Sequence, residues 1–225
     1  MKQQRVIFFD VGNTLLFPNR AKILAPIAIE RHPTLEQWQA LERKTKTEFD
    51  RGMQNGRVDH GFWWTFHTYL LDQLGESLVP RDVLVENTRN SANWDQILPG
   101  TRQALQRIGE NFRIAVISNS DGAIERVLSR CGIADCFESI TDSGIVGVEK
   151  PRKEIFEAAL GAMKARPEES LYVGDVYSVD YAGARSAGMD AVLFDVSGAY
   201  RARDLPRVES LGQLENELFE NRLQR

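Results

Sequence analysis

Five short β-type runs recur along the chain, at Arg5–Val11, Arg113–Asn119, Glu138–Asp142, Ser170–Asp175 and Ala191–Val196. Several are near-continuous in valine, isoleucine, leucine and phenylalanine instead of alternating with polar residues. That pattern suits parallel strands covered on both faces. Parallel strands need crossovers, and the stretches between the runs supply them. Thr101–Glu110 sets Ala104, Leu105 and Ile108 on one helical face, and Ala123–Cys131 does the same with Ile124, Val127 and Leu128. Glu154–Ala165, Tyr181–Ala187 and Leu211–Leu223 complete the alternation. The expected fold class is α/β, a three-layer sandwich around a parallel sheet of five or more strands.

One segment interrupts this order. From Pro18 to Trp94 helical periodicity dominates, at Ala25–Arg31, Leu35–Phe49, Gly61–Leu74 and Arg81–Asn93. It holds all four tryptophans (Trp38, Trp63, Trp64, Trp94) and all three histidines (His32, His60, His67). Residues 18–94 are therefore expected to form an all-helical cap inserted after the first strand, with 1–17 and 95–225 as the α/β core. A core without histidine cannot build a Ser-His-Asp triad, and no Gly-x-Ser-x-Gly turn is present. Neither a P-loop nor a Gly-x-Gly-x-x-Gly turn occurs.

The 225 residues carry a formal charge of −4, so no basic excess is available for nucleic acid or an anionic membrane. No apolar run approaches the roughly 18 residues of a membrane span, and the N-terminus leads straight into a strand. A cytoplasmic protein, monomeric or homodimeric, is expected. Cys131 and Cys136 read as free thiols.

Ligands of open α/β sheets bind outside the carboxyl ends of strands. The first strand ends on Asp10, followed by Gly12-Asn13-Thr14. The second ends on Ser118-Asn119-Ser120-Asp121-Gly122. The loop after the third carries Lys150-Pro151 just before a helix, and the fourth ends on Gly174-Asp175, with Asp180 five residues on. Three converging carboxylates, Asp10, Asp175 and Asp180, would repel one another unless a cation sits among them, and oxygen ligands of this kind suit magnesium. Ser118, read as opening a helix, offers a hydroxyl beside backbone N–H groups, an anion site. Lys150 adds a positive charge for a phosphate oxygen or a carboxylate. Together these parts describe phosphoryl transfer to an aspartyl nucleophile.

The four motifs, in this order and spacing, resemble those of the haloacid dehalogenase superfamily. The fold so implied is Rossmann-like, and the insertion point resembles the branch of subfamily I with a C1 cap. By this resemblance Asp10 is the nucleophile. Magnesium is held by Asp10, the Gly12 carbonyl, Asp175 and Asp180. The phosphoryl group is bound by Ser118 and Lys150, with Gly12, Asn13 and Asn119 lining its site, and Thr14 holds the turn. The implied activity is a magnesium-dependent phosphatase acting on a small phosphorylated metabolite. The alternatives are a catalytically weak homologue that binds a phosphorylated ligand or partner, and a phosphonatase-like or haloacid dehalogenase-like hydrolase.

Gly12 departs from the family pattern, which places a second aspartate there as general acid and base. Losing such a donor costs about 10²–10⁴-fold in rate, so Gly12→Asp is expected to raise activity toward alkyl phosphates. In the cap, Asp59, His60 and His67 are candidates to replace the proton donor. Lys44 and Lys46, within Glu42-Arg43-Lys44-Thr45-Lys46, read as a solvated face.

Overall fold

A computed structural model describes residues 6–27, 32–54 and 61–220. Its strands are β1 (Val6–Phe9), β2 (Leu16–Phe17), β3 (Gln96–Ile97), β4 (Arg113–Ser118), β5 (Ser139–Asp142), β6 (Ser170–Gly174), β7 (Asp190–Phe194) and β8 (Arg207–Val208). Six of them form one parallel sheet in the order β5-β4-β1-β6-β7-β8. Its helices are α1 (Arg20–Leu24), α2 (Leu35–Gln54), α3 (Phe62–Leu74), α4 (Arg81–Arg89), α5 (Thr101–Gly109), α6 (Ile124–Arg130), α7 (Ser143–Val146), α8 (Lys153–Met163), α9 (Ala182–Ser186) and α10 (Leu211–Phe219).

The apolar run of β1 explains the layering. Successive side chains of a strand point to opposite faces. Ile7 and Phe9 pack on one side with Leu105, Ile108, Leu128 and Leu214 of α5, α6 and α10. Val6 and Phe8 pack on the other with Ile155, Phe156 and Met163 of α8 and Ala184 of α9. All four β1 residues are buried, each large side chain contributing about 1.5–3 kcal/mol. The α/β sandwich expected from the sequence is therefore present. The sheet gains a sixth strand, β8, whose two residues are too few to show a periodicity.

Between β2 and β3 lie α1 to α4, with an apolar cluster of their own built from Ile23, Leu24, Trp38, Leu41, Phe66, Leu70, Leu71 and Leu84. The antiparallel pairing of Leu16–Phe17 with Gln96–Ile97 clasps the two ends of this helical insertion. The first insertion helix covers Arg20–Leu24, ahead of the expected Ala25–Arg31, because Asn19 caps it by accepting from the Lys22 N–H. Residues 28–31 lie outside the described residues, as do Asp59 and His60.

The chain runs from β1 to β4 and β5 on one side, then crosses back to β6 on the other. The strand order thus reverses around β1. The crevice such a reversal opens lies at the carboxyl ends of β1, β4 and β6.

Candidate active site

Asp10 is the first residue past β1, and its N–H donates to the Val173 carbonyl of β6 at 2.8 Å. Asp175 follows β6, and Asp180 sits in a single π-helical turn, Tyr177–Tyr181. Carboxylate oxygens of Asp10, Asp175 and Asp180 lie within 4.8 Å of one another, and all three residues are buried. Gly174 makes this convergence possible: a Cβ there would stand 2.6 Å from the Asp180 Cγ. Burial drives the Asp10 carboxyl up to about 7; Lys150 opposes the rise while Asp180 and Asp175 reinforce it. Burial raises Asp175 as well. Buried oxygen donors with such proton affinity are compatible with a hard divalent cation.

Lys150 satisfies part of that demand. Its Nζ donates to Asp10 Oδ1 at 2.6 Å, to Asp180 Oδ1 at 2.7 Å and to the Tyr172 hydroxyl at 2.7 Å. These three bonds use every donor of an ammonium group. Burial works against its charge, but Asp10 and Asp180 outweigh burial and raise its pKa overall. Tyr172, unrecognised in the sequence because it sits inside an apolar strand, also donates within reach of the Ile117 carbonyl at 3.2 Å. Asn119 holds the lysine backbone from both sides: Lys150 N–H donates to its Oδ1 at 2.8 Å, and its Nδ2 donates to the Lys150 carbonyl at 3.0 Å. The Asn119 side chain is thereby engaged in positioning Lys150 and not aimed at an anion.

Ser118 closes β4 beside Asp142 of β5 and is buried. It does not open a helix, since α6 starts only at Ile124. Asp142 organises the loop between them, accepting from the N–H groups of Gly122, Ile124 and Gly144 at 2.9–3.1 Å. Asp142 thereby caps α7 through the Gly144 N–H and also takes the N–H of Ile124 at the start of α6.

The turn after Asp10 is closed by its own backbone. Asn13 adopts a left-handed conformation (φ 53°) that asparagine tolerates better than most residues. Its N–H donates to the Leu16 carbonyl at 2.8 Å, and the Thr14 N–H to the Val11 carbonyl at 3.3 Å. These two amides are engaged within the turn. Among the described residues Asn13 Oδ1 and Thr14 Oγ1, both buried, have no hydrogen-bond partner.

Trp94 fills the place beside Gly12. A Cβ on Gly12 would meet the indole Cζ3 at 3.3 Å. The ring is fixed by its Nε1, which donates to the Thr88 carbonyl at 2.7 Å, and by edge contact with Trp63 at 5.4 Å. A side chain at position 12 thus requires the Trp94 ring to give by a few tenths of an ångström.

The insertion contributes one face that the sequence reading assigned to solvent. Glu42, Lys46 and Asp50, spaced four apart on α2, share a helical stripe, and all three are buried. Lys46 Nζ lies 2.8 Å from Asp175 Oδ2. Asp50 Oδ1 accepts from the Ser178 N–H at 3.1 Å, and Arg43 Nη1 donates to the Ser197 carbonyl at 2.9 Å. Burial raises Glu42 to about 7 against the pull of Lys46. Lys44, on the opposite side of the helix, is exposed over the Tyr69 ring. His67 faces the insertion's own core: its Nε2 meets Thr88 Oγ1 at 2.7 Å, and burial lowers its pKa to about 4. It is no proton donor to Asp10.

A sequence model described as "Hydrolase: haloacid dehalogenase-like hydrolase" matches residues 4–188. The chain belongs to this family. It is 29% identical over 216 residues to the glyceraldehyde 3-phosphate phosphatase of Pyrococcus furiosus, covering 91% of this chain and 86% of that protein. It is 32% identical over 206 residues to the ribulose-1,5-bisphosphate 5-phosphatase of Halopiger xanaduensis, covering 85% and 84%. Among solved structures, the HAD-hydrolase YfnB of Bacillus subtilis, bound to magnesium, superposes with a TM-score of 0.71 at 20% identity, covering 96% of this chain and 99% of that one. The haloacid dehalogenase-like fold is thus shared, and the protein is a hydrolase. Among the described residues no helix is long and apolar enough to cross a membrane.

Proposed function

We propose that this hydrolase is a magnesium-dependent phosphatase of small phosphorylated metabolites, working through an aspartyl-phosphate on Asp10. The observation that carries the proposal is the buried trio Asp10–Asp175–Asp180 with Lys150 bridging two of its members. A metal-free displacement at carbon needs a carboxylate nucleophile and one base for water, and it leaves the third buried carboxylate without a role. The relatives named as sugar-phosphate phosphatases support a small phosphate ester as substrate, and the helices of 18–94 would act as the cap.

In this reading Lys150 and Ser118 bind the transferring phosphoryl group. Lys150 exchanges one of its three bonds for a phosphoryl oxygen while keeping Asp10 oriented. An Asp10 oxygen attacks phosphorus, the bond to the leaving oxygen breaks, and the leaving oxygen takes a proton from solvent. Water then attacks the aspartyl-phosphate, releasing phosphate and restoring Asp10. Asp10, Asp175, Asp180 and the Gly12 carbonyl would hold magnesium, which neutralises charge on the phosphoryl oxygens.

Gly12 supplies no proton, and Trp94 walls that side with an apolar ring. Esters with acidic leaving groups, which need little protonation, are therefore the better substrates, and alkyl esters lose about 10²–10⁴-fold. The same observation favours a second reading, a homologue that binds phosphate esters but turns them over feebly. The test is phosphate release from an aryl phosphate and from an alkyl phosphate, with magnesium or EDTA. Magnesium-dependent aryl turnover that disappears in Asp10→Asn supports the phosphatase. Binding of both esters without turnover of either selects the second reading.

A further inference from the structure

The buried carboxylate at Asp175 already has a cation, and that cation comes from the helical insertion. Lys46 Nζ stands 2.8 Å from Asp175 Oδ2, with both side chains buried. Lys150 touches Asp10 and Asp180 in the same way. Each of the three carboxylates thus has an ammonium in contact. The two lysines differ in how they are carried. Lys150 hangs from a loop whose backbone is clamped by Asn119. Lys46 is carried by α2, which meets this end of the sheet mainly through polar groups. Among the described residues these contacts include Arg43 to the Ser197 carbonyl, the Ser178 N–H to Asp50, and Arg203 to Asp50 Oδ2 at 3.7 Å, with the Lys46 ammonium 6.0 Å from the Tyr200 ring centre. The apolar residues of α2, Trp38 and Leu41, pack inside the insertion.

We infer that Lys46 is a built-in competitor of the divalent cation at Asp175, so that seating of α2 on the site and metal binding oppose each other. This rests on the magnesium reading above. A divalent ion at Asp175 Oδ2 and an ammonium at hydrogen-bond distance from the same oxygen repel strongly in a buried site. One must leave, and Lys46 can leave because the contacts that seat its part of α2 on the sheet end are mainly polar and exchangeable. Lys46 is in this sense a positioning residue that sets metal affinity through the state of the insertion. The metal binds the fraction of molecules in which Lys46 is withdrawn, and its apparent affinity falls in proportion to that fraction.

Calorimetric titration of MgCl2 into the full chain tests the inference, comparing wild type with Lys46→Met and Lys46→Gln. Both variants are expected to bind magnesium about tenfold more tightly than wild type, the factor by which a state populated at about one part in ten limits affinity. An unchanged or weaker affinity overturns the competition while leaving the metal centre intact. No binding by wild type or variants overturns the metal centre itself, a different failure. Reductive methylation of wild type, read by peptide mass spectrometry, needs no substitution. Magnesium should increase labelling of Lys46 several-fold and leave exposed Lys44 unchanged. Labelling of Lys46 that ignores magnesium overturns the inference.

Discussion

Two buried lysines serve the same three carboxylates, and they are held by different means. Lys150 belongs to the sheet end: its backbone is clamped by Asn119 and its ammonium is shared among Asp10, Asp180 and Tyr172. Lys46 belongs to the insertion and pairs with Asp175, with Glu42 of its own helix also acting on its charge, on a helix face that docks mainly through polar groups. The first is part of the frame, so its geometry survives any motion of the insertion. The second reports where the insertion is. A chain that puts one charge on the frame and the other on a movable element can keep its nucleophile oriented while its cation site changes occupancy.

The sharpest way to break this comparison is to remove each lysine in turn. Lys150→Met should abolish phosphate release and cost about 3–5 kcal/mol of stability, because it strands two buried carboxylates. In chemical denaturation Lys46→Met should cost less, since Asp175 and Glu42, both already raised by burial, take up a proton readily once Lys46 is gone. Equal costs would mean that both lysines belong to the frame.

His67 allows the insertion to be tested separately from the sheet. Its pKa is lowered from 6.5 to about 4 in the folded protein. Above 6.5 both states are neutral and its contribution is fully present. As pH falls from 6.5 toward 4 only the unfolded chain takes the proton, so stability is lost, by about 3 kcal/mol in all. The difference between wild type and His67→Gln, followed by denaturant melts from pH 7 to pH 4, should shift by that amount against wild type. A flat difference would contradict the dry packing of His67 against Thr88.

A smaller effect is expected at the seam between the two regions. Gly12→Asp alone should lower stability by about 1–3 kcal/mol, the usual cost of overpacking, and gain little activity on alkyl phosphates. The simple gain expected from the sequence is thus made conditional. Combined with Trp94→Leu, which opens the space, the added carboxylate should raise alkyl turnover, measured as phosphate release. A full gain from Gly12→Asp by itself would show that Trp94 yields freely.

The parts visible in the sequence were those whose signal is local. The apolar runs gave the parallel sheet, and an acid at the end of a buried strand marked Asp10. Asp175, Asp180 and Lys150 stood at strand ends and helix approaches, and the fold brings all of them to one crevice. What stayed hidden depended on packing between distant segments. Tyr172 looked like one more strand residue, and nothing local to Gly12 points to Trp94. The roles of Asn13 and Asn119 hinged on which amide meets which carbonyl. Lys46 is the instructive case. Read as five consecutive residues, 42–46 looks solvated, but Trp38, Leu41, Glu42, Thr45, Lys46 and Asp50 all fall on one buried stripe of α2. Helical spacing, more than local composition, carried the signal.

The contact between Gly12 and Trp94 also bears on how the two regions constrain each other. The indole is anchored to the Thr88 carbonyl and stands 3.3 Å from where a Cβ on residue 12 would lie. Trp94 is in turn packed against Trp63 of the insertion. A change at the loop after the first strand is therefore felt in the insertion's aromatic packing: position 12 and the insertion are coupled through one ring.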